Sequence, residues 1–336
     1  MQISVVIPAY NYSELGTTLA PLLRDPATAE VVVVVDGSRD GSFETLQRMA
    51  ADEPRLRPFF IENRGRTGAW QFALEQARCD IVLSLDQDVV AHEGLVSGHA
   101  ALHAQAPCRA VLGYMPTIKP PRRPGSFVIE RYADEYERVC ASWDRDPRNV
   151  LTRLWGGNLS IPRRELLAAG GCDAGVGLEY CHDRELGIRL LRVGLEPVFD
   201  RRLRAEHRFE RSIAGFLNAG RQQGRDMAII ARLHPDHAEF PRWRRANLGG
   251  RLRRAALRPR ASRAMLALGI PMLRGVGRLR LWRAEVRIGE FLERLELQRG
   301  MQDGLREAST WSTPPRRQIR IRPQSERRQA IAPLAS

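Results

Sequence analysis

The sequence is poor in lysine, in paired cysteines and in long apolar runs. Lys119 is the only lysine among 53 basic residues, and the five cysteines include no Cys-x-x-Cys pair. We therefore expect free thiols in a reducing compartment, not a disulfide framework or a cysteine zinc site. The sequence contains no run of about 18 apolar residues, so we expect no membrane span. Its N-terminus lacks the basic start and the apolar stretch of a signal peptide. These features predict a cytoplasmic protein.

The excess of positive charge lies at one end of the chain. Residues 1–241 carry a net charge of −2, whereas residues 242–336 carry 23 arginines, 7 acidic residues and a net charge of +16. Such a region suits anionic lipid headgroups, nucleic acid or an acidic partner, and it is also typical of a solvated extension. With 43% hydrophobic residues over 336 positions, the remaining chain can bury a sizeable core.

Apolar runs alternate with helical patterns in the first part of the chain. Strands are predicted at residues 3–9, 31–35, 57–61 and 81–85, with helices between them. This alternation predicts an α/β fold with a Rossmann-like, mostly parallel sheet and helices on both faces. A later helix is predicted at 182–193, followed by a short strand at 195–199.

Polar residues follow these strands, where a parallel sheet binds its ligands. Asn11 follows the first strand, Asp36 the second, and Asp86-Gln87-Asp88 the fourth. Two carboxylates at this spacing can divide their roles: one holds a ribose hydroxyl, and the other binds a hard divalent cation that neutralises a diphosphate. Each motif alone also fits a solvated loop or, for Asp36, a turn.

Five motifs occur in an order and spacing that resemble the family 2 glycosyltransferases, which have the GT-A fold. The resemblance covers about residues 1–210. The motifs are Val6-Ile7-Pro8-Ala9-Tyr10-Asn11, Val35-Asp36-Gly37-Ser38-Arg39-Asp40-Gly41-Ser42, Asp86-Gln87-Asp88, Gly156-Gly157-Asn158-Leu159-Ser160 and Gly170-Gly171-Cys172-Asp173.

This resemblance implies a site for a nucleotide-sugar donor. Asp86 would contact the ribose or base side, and Asp88 would bind Mn²⁺ or Mg²⁺ between the two phosphates. His207 would be a further metal ligand, since imidazole suits manganese beside carboxylate. Arg66 would offset phosphate charge. The remaining residues that would line the nucleotide pocket are Pro8, Ala9, Tyr10, Asn11 and Asp36.

The resemblance also implies the residues that act on the acceptor. Asp183, at the start of a predicted helix, would be the base that takes the proton from the acceptor hydroxyl. His182 stands where the family has an acid, so it would tune Asp183 or accept the proton itself. Trp155, Gly157 and Asn158 would lie beneath the donor sugar and the acceptor. The helix-spaced pair His99 and His103 is interpreted as surface residues.

The resemblance divides the chain into three parts. Residues 1–211 would form the catalytic domain, with a donor-binding half at 1–115 and an acceptor half at 116–211. Residues 212–311 are predicted to be helical, and 312–336 a disordered basic tail. An amphipathic stretch at 266–283 is compatible with a membrane-surface helix, with packing on the catalytic domain and with pairing in a homodimer.

The predicted function is inverting, metal-dependent transfer of a sugar, with a UDP-sugar favoured, in the synthesis of polysaccharide, glycolipid or another glycoconjugate. The acceptor is not identified. Two alternatives stay open: a sugar-nucleotide nucleotidyltransferase, and a non-catalytic protein that binds nucleotide-sugar or nucleic acid. A nucleotidyltransferase usually needs a Gly-rich, basic signature after the first strand, where this chain has Tyr10-Asn11-Tyr12-Ser13-Glu14. Nucleic-acid motifs are absent from the sequence.

Overall fold

The computed structural model describes residues 1–172, 177–237 and 259–311, which contain one sheet of eight strands and eleven helices. The strands are β1 (Ile3–Ala9), β2 (Thr28–Asp36), β3 (Leu56–Ile61), β4 (Ile81–Leu85), β5 (Val89–Ala91), β6 (Arg109–Tyr114), β7 (Asn158–Pro162) and β8 (Glu196–His207). The helices are α1 (Leu15–Arg24), α2 (Ser42–Asp52), α3 (Gly65–Gln76), α4 (Leu95–Gln105), α5 (Phe127–Arg145), α6 (Asn149–Thr152), α7 (Arg163–Ala168), α8 (His182–Val193), α9 (Ile213–Leu233), α10 (Pro259–Arg278) and α11 (Trp282–Ser309).

The sheet has the strand order β3-β2-β1-β4-β7-β6-β8-β5. The first four strands are mutually parallel, β7 runs antiparallel to both neighbours, β8 is parallel to β6, and β5 is antiparallel to β8. The chain leaves β1 toward β2 but returns to place β4 on its other side. A crevice therefore opens at the carboxyl ends of β1 and β4, where open α/β sheets bind ligands.

The predicted strands of the first half are confirmed, and burial explains why they form. All five valines of 31–35 are fully buried in β2, and β4 is buried along its whole length. Each fully buried aliphatic side chain contributes roughly 1.5 kcal/mol or more to folding. The continuous β-branched run therefore marks a strand that is covered on both faces.

Strand β8 is longer than the sequence predicted. The short strand expected at 195–199 continues to His207, so that it spans twelve residues. Its second part pairs with β5, placing His207 opposite Val89. Leu203, Ala205 and His207 are buried while Arg204 between them is exposed, an alternation that the surrounding arginines concealed.

The interpretation of His99 and His103 as surface residues was wrong, because both are fully buried beneath β7. His99 bonds through Nδ1 to Ser160 Oγ at 2.8 Å and through Nε2 to Asn158 Oδ1 at 3.0 Å, and His103 Nε2 contacts Ser160 Oγ at 2.7 Å. Burial lowers the pKa of His99 to about 3 and that of His103 to about 4. Both rings are therefore neutral and join α4 to β7.

A second hydrophobic core joins the C-terminal helices to the catalytic region. Phe127 of α5 packs edge-on against Phe216 of α9, with 5.7 Å between ring centroids. Leu266 and Leu273 of α10 and Leu292 of α11 complete this cluster. The helical prediction for 212–311 is thus confirmed where the structure describes it, while the tail at 312–336 lies outside the described residues.

Helices α9 and α11 lie unusually close together because glycines line their contact. A methyl group added at Gly300 would collide with the backbone carbonyl of Arg221, and one added at Gly224 would collide with that of Leu297. The two backbones therefore meet with no side chain between them. Arg225 on α9 closes this contact by a 2.7 Å ion pair with Glu307 on α11.

Replacing Gly300 with alanine should destabilise the protein, because the added methyl group forces α9 and α11 apart. We expect Gly300→Ala to lower the free energy of unfolding by about 1–3 kcal/mol, measured by thermal or denaturant melting. The matched control is Gly275→Ala on α10, where no atom lies within 4 Å of the new methyl group. That variant should be neutral or stabilised by about 0.5–1 kcal/mol. Equal melting of both variants would refute the close packing.

Candidate active site

A cavity of about 1010 Å³ opens at the carboxyl ends of β1, β2 and β4. Its walls come from the loops after these strands, from the start of α8 and, at its far end, from α5, α9 and α11. The predicted site residues that line it are Pro8, Ala9, Tyr10, Asp36, Arg66, Asp86, Asp88, Trp155, His182, Asp183 and His207. The fold therefore gathers residues from distant segments of the chain, including the first three of the five motifs, into one cleft.

Three potential metal ligands meet near the centre of the cavity. One ligand atom each from Asp86, Asp88 and His207 lies within 4.8 Å of the others. His207 Nε2 is 3.4 Å from Asp88 Oδ2, and the imidazole is buried. Strand pairing creates this proximity, since β8 pairs with the strand that follows Asp88. Two carboxylates and an imidazole form a donor set that fits Mn²⁺ and other first-row divalent ions.

The charge of Asp88 is maintained in spite of its partial burial. Burial by itself raises the pKa of this carboxyl. The hydrogen bond and the charge of His207, together with the charge of Arg66, outweigh that effect and hold the pKa below its usual value. Asp88 is therefore ionised at neutral pH, as a metal ligand must be.

Arg66 lies among carboxylates inside the cleft. It projects from the first turn of α3 and forms an ion pair with Asp86. The pKa of Arg66 is raised chiefly by the charge of Asp86, with burial opposing the shift and with Asp183 and Asp88 adding to it. Half of the side chain is exposed to the cavity, so the guanidinium can also meet an anionic ligand there.

Asp36 is fixed by a segment that the motifs did not reveal. Its Oδ1 accepts a 2.7 Å hydrogen bond from the backbone N–H of Arg64, and Asn63 Nδ2 donates to its carbonyl oxygen at 3.2 Å. Gly37, with φ of 71°, lets Asn63 approach closely. Asp36 and Asn63 both line the cavity.

Gln87, the central residue of Asp86-Gln87-Asp88, joins this motif to the end of β1. Its Oε1 accepts from the backbone N–H of Tyr10 at 2.7 Å, and its Nε2 donates to the Tyr10 carbonyl at 3.3 Å.

Asn11 has a left-handed backbone with φ of 46° and donates its N–H to Ser38 Oγ at 2.9 Å. Asn11 therefore shapes the turn and does not line the cavity.

Asp183 begins α8 and is held by two groups. His182 Nε2 lies 3.1 Å from Asp183 Oδ1, and the backbone N–H of Gly156 donates to Oδ2 at 3.0 Å. Burial alone would raise the pKa of Asp183, but the charges of His182 and Arg66 and these hydrogen bonds lower it well below its usual range. The carboxylate is therefore ionised and aimed at the cavity.

The residues expected beneath the sugars separate into three kinds. Trp155 lines the cavity and packs edge-on against Tyr132, with centroids 5.1 Å apart. Gly157 lies behind Asp86, so close that an added methyl group would be 2.7 Å from its Oδ2. The expectation that Asn158 faces the sugars needs correction. Its side chain is fully buried and donates to the Leu203 carbonyl at 3.1 Å, so it supports the strand.

Asp226 of α9, which no motif indicated, holds the backbone segment 179–181 just before α8. Its Oδ2 accepts three backbone N–H hydrogen bonds, from Glu179 at 3.0 Å, Tyr180 at 2.7 Å and Cys181 at 3.0 Å. The carboxylate is fully buried. A helix of the C-terminal region thus fixes the segment that leads into the candidate base.

Comparison with known proteins assigns the domain that carries this cleft. Residues 4–160 match the sequence model of Glycosyl transferase family 2. These residues belong to that family. The uncharacterized glycosyltransferase YfnE of Bacillus subtilis is 34% identical over 144 residues, which are 42% of this chain and 36% of YfnE. The undecaprenyl-phosphate 4-deoxy-4-formamido-L-arabinose transferase of Pseudomonas syringae is 38% identical over 97 residues, 26% of this chain and 28% of the relative.

Solved structures extend the likeness in fold beyond that domain. The mannosyltransferase PcManGT of Pyrobaculum calidifontis, solved with GDP-Man and Mn²⁺, superimposes with a TM-score of 0.58 at 19% identity. The match covers 89% of this chain and 86% of that one. The predicted GT-A fold is therefore confirmed. The chain spans about a third of the length of the two curated relatives, and no helix among the described residues is long and apolar enough to cross a membrane.

Asp226→Asn should impair sugar transfer through a displaced Asp183. Loss of the charge weakens three hydrogen bonds, so we expect a fall in kcat of about tenfold or more, with the KM for the donor nearly unchanged. Steady-state kinetics of transfer or donor hydrolysis measure both constants. The matched control is Asp303→Asn, which loses an exposed 2.8 Å ion pair with Arg221 between α9 and α11. A kcat for Asp226→Asn equal to that of the control would argue against this positioning role.

Proposed function

We propose that this protein is an inverting, divalent-metal-dependent glycosyltransferase that moves a sugar from a nucleotide-sugar donor to an acceptor hydroxyl. The observation that carries the proposal is that Asp88 and His207 border the same cavity as Asp183. Direct displacement needs both: charge neutralisation on the leaving diphosphate and a base beside the attacking hydroxyl. Membership of residues 4–160 in Glycosyl transferase family 2 supports the proposal.

In this proposal the donor half of the domain, 1–115, holds the nucleotide. Asp36 offers its carboxylate to the base or ribose, while Pro8, Ala9 and Tyr10 form the adjoining wall. Asp86 faces the ribose side and restrains Arg66 by their ion pair. When the diphosphate binds, Arg66 is positioned to donate to its oxygens, because its half-exposed guanidinium already points into the cavity.

Asp88 and His207 are the proposed ligands of Mn²⁺ or Mg²⁺. The pairing of imidazole with carboxylate favours Mn²⁺, since Mg²⁺ prefers oxygen ligands and water. The bound ion would supply neutralisation of the charge that develops on the departing diphosphate. PcManGT, which shares the fold, was solved with GDP-Man and Mn²⁺. We favour a UDP-sugar as the donor of this chain.

Asp183 is the proposed base. Its lowered pKa means that it is fully ionised before reaction, so a proton acceptor is always present. The acceptor hydroxyl becomes more acidic as its oxygen bonds to the anomeric carbon, and the proton then passes to Asp183. The 3.1 Å contact with His182 and the 3.0 Å hydrogen bond from Gly156 keep the carboxylate oriented. Trp155, which lines the cavity, offers an aromatic surface for a sugar ring.

The acceptor would enter from the other end of the cavity, in the half formed by 116–211 and the C-terminal helices. Polar residues from α9 and α11 line that end, including Gln222, Gln223, Glu293 and Arg294. We place the activity in polysaccharide, glycolipid or other glycoconjugate synthesis. Five free cysteines suit the reducing cytoplasm.

Asp88→Asn should abolish metal-dependent transfer. Loss of the charged ligand weakens binding of the metal ion, so we expect the transfer rate to fall by about a hundredfold or more. Wild-type protein should melt at a higher temperature with Mn²⁺ plus a UDP-sugar, because both bind the native state. Asp88→Asn should lose that rise. The matched control, Asp134→Asn, removes an exposed carboxylate paired with Lys119 and should behave as wild type.

The metal requirement can be tested separately with EDTA, followed by repletion with Mn²⁺ or Mg²⁺. Full activity in EDTA, or full activity of Asp88→Asn, would contradict the proposed mechanism. A screen of UDP- and GDP-sugars by the same melting shift would identify the donor. Release of pyrophosphate from UTP and a sugar phosphate would instead indicate the nucleotidyltransferase alternative.

His182→Gln should move the acid limb of the kcat profile to higher pH. The His182 charge is the largest of the factors that lower the pKa of Asp183, whereas burial raises it. Removing His182 therefore raises the pKa, and Asp183 becomes protonated, and inactive as a base, at a higher pH than in wild type. Rates measured from acid to neutral pH test this. An acid limb unchanged in His182→Gln would mean that Asp183 is not the base whose ionisation limits the rate.

A further inference from the structure

The second half of α10 and the residues just after it expose four large apolar side chains. Leu268 is 75% exposed, Met272 59%, and, just past the helix, Leu279 71% and Leu281 52%. Exposed apolar side chains that cluster in this way mark a binding surface more often than scattered ones do. We call this surface, together with its arginines, the α10 surface; its members are Leu268, Met272, Arg274, Arg278, Leu279, Arg280, Leu281 and Arg283.

The exposed apolar residues are not the ones that hold α10 in place. Leu266 and Leu273 point into the second core, where they pack with Leu292 of α11. Leu268 and Met272 are one helical turn apart and lie on the opposite side, since each residue advances about 100° around a helix. Helix α10 therefore carries two apolar faces, of which only one is used by the fold.

Positive charge borders the exposed face and is not neutralised there. Arg274, Arg278, Arg280 and Arg283 are all exposed, and none forms an ion pair with another described residue. In the sequence, residues 240–284 contain thirteen arginines and not one aspartate or glutamate. Such a segment repels cationic surfaces and attracts anionic ones.

We propose that the α10 surface binds an anionic phospholipid bilayer. In a membrane interface, acyl chains lie beneath negatively charged headgroups. The apolar side chains of the α10 surface can contact the acyl chains while its arginines bind the headgroups. Nucleic acid would use the arginines but would leave Leu268, Met272 and Leu279 in water, because bases stack on aromatic side chains.

The α10 surface is fastened to the catalytic region. Gly277, near the end of α10, lies beside Glu285 of α11, and a methyl group added there would also be in ordinary contact with Cβ of Pro124, at 3.5 Å. Glu285 of α11 accepts a 2.8 Å hydrogen bond from the backbone N–H of Gly125 in the same proline-rich loop. A bilayer bound to α10 would therefore hold the whole enzyme in one orientation.

Co-sedimentation with vesicles tests the proposal on the full chain. Vesicles of phosphatidylglycerol and phosphatidylcholine are compared with vesicles of phosphatidylcholine alone, at low and high salt. We expect binding only to the anionic vesicles, weakened by salt. The variant Leu268→Gln/Met272→Gln should bind anionic vesicles at least about tenfold more weakly than wild type does. The variant Arg274→Gln/Arg278→Gln should also bind them at least about tenfold more weakly, because each arginine contributes about fivefold. Glutamine keeps helix propensity, so folding should be preserved.

Matched controls separate this surface from general charge and hydrophobicity. Leu167→Gln and Leu305→Gln remove leucines that are 40% and 45% exposed elsewhere, and Arg48→Gln/Arg145→Gln removes two exposed arginines. These variants should bind as wild type does, and donor hydrolysis in solution should be unchanged in all variants.

Four outcomes would overturn the proposal. They are equal binding to neutral vesicles, unchanged binding of both α10 variants, binding to duplex nucleic acid but not to vesicles, and an oligomer in solution that the Leu268→Gln/Met272→Gln variant dissociates. The last result would assign the apolar face to a second copy of the chain.

Discussion

Electrostatic balance around Arg66 is the constraint on which the cleft depends. Three carboxylates, those of Asp86 and Asp88 in the loop after β4 and that of Asp183 in α8, face one cavity, where their mutual repulsion would favour protonation. Arg66, together with the imidazoles of His182 and His207, holds Asp88 and Asp183 ionised. Asp88 and Asp183 therefore carry their negative charge before any cation or nucleotide arrives.

Much of this arrangement could be predicted from the sequence, because its signals are local. The buried valines of β2 stand directly before Asp36, and β4 stands directly before Asp86, so the apolar pattern and the family resemblance located both strand ends. The contribution of β8 could not be predicted as well. The alternation that carries the strand to His207 is hidden among the charged residues Arg201, Arg202, Arg204 and Glu206, and pairing with β5 completes the strand only in three dimensions.

Other features escaped prediction because they depend on contacts between distant segments. His99 and His103 look like surface residues until α4 packs on β7, where Ser160 and Asn158 supply their partners. Asp226 lies outside residues 4–160, and nothing in its neighbourhood resembles a motif. Its importance arises from the tight contact of the C-terminal helices with the segment before α8. The C-terminal region is therefore part of the site's construction and not an appendage.

The two adjacent glycines of the Gly156-Gly157-Asn158 motif have a geometric consequence. Gly156 abuts Asp183 and Gly157 abuts Asp86, so that consecutive residues contact the proposed base and the first carboxylate of Asp86-Gln87-Asp88. The contact with Asp183 and the contact with Asp86 are therefore separated by one peptide unit, which spans about 3.8 Å between α-carbons. A side chain at either glycine would therefore alter the spacing between these two carboxylates.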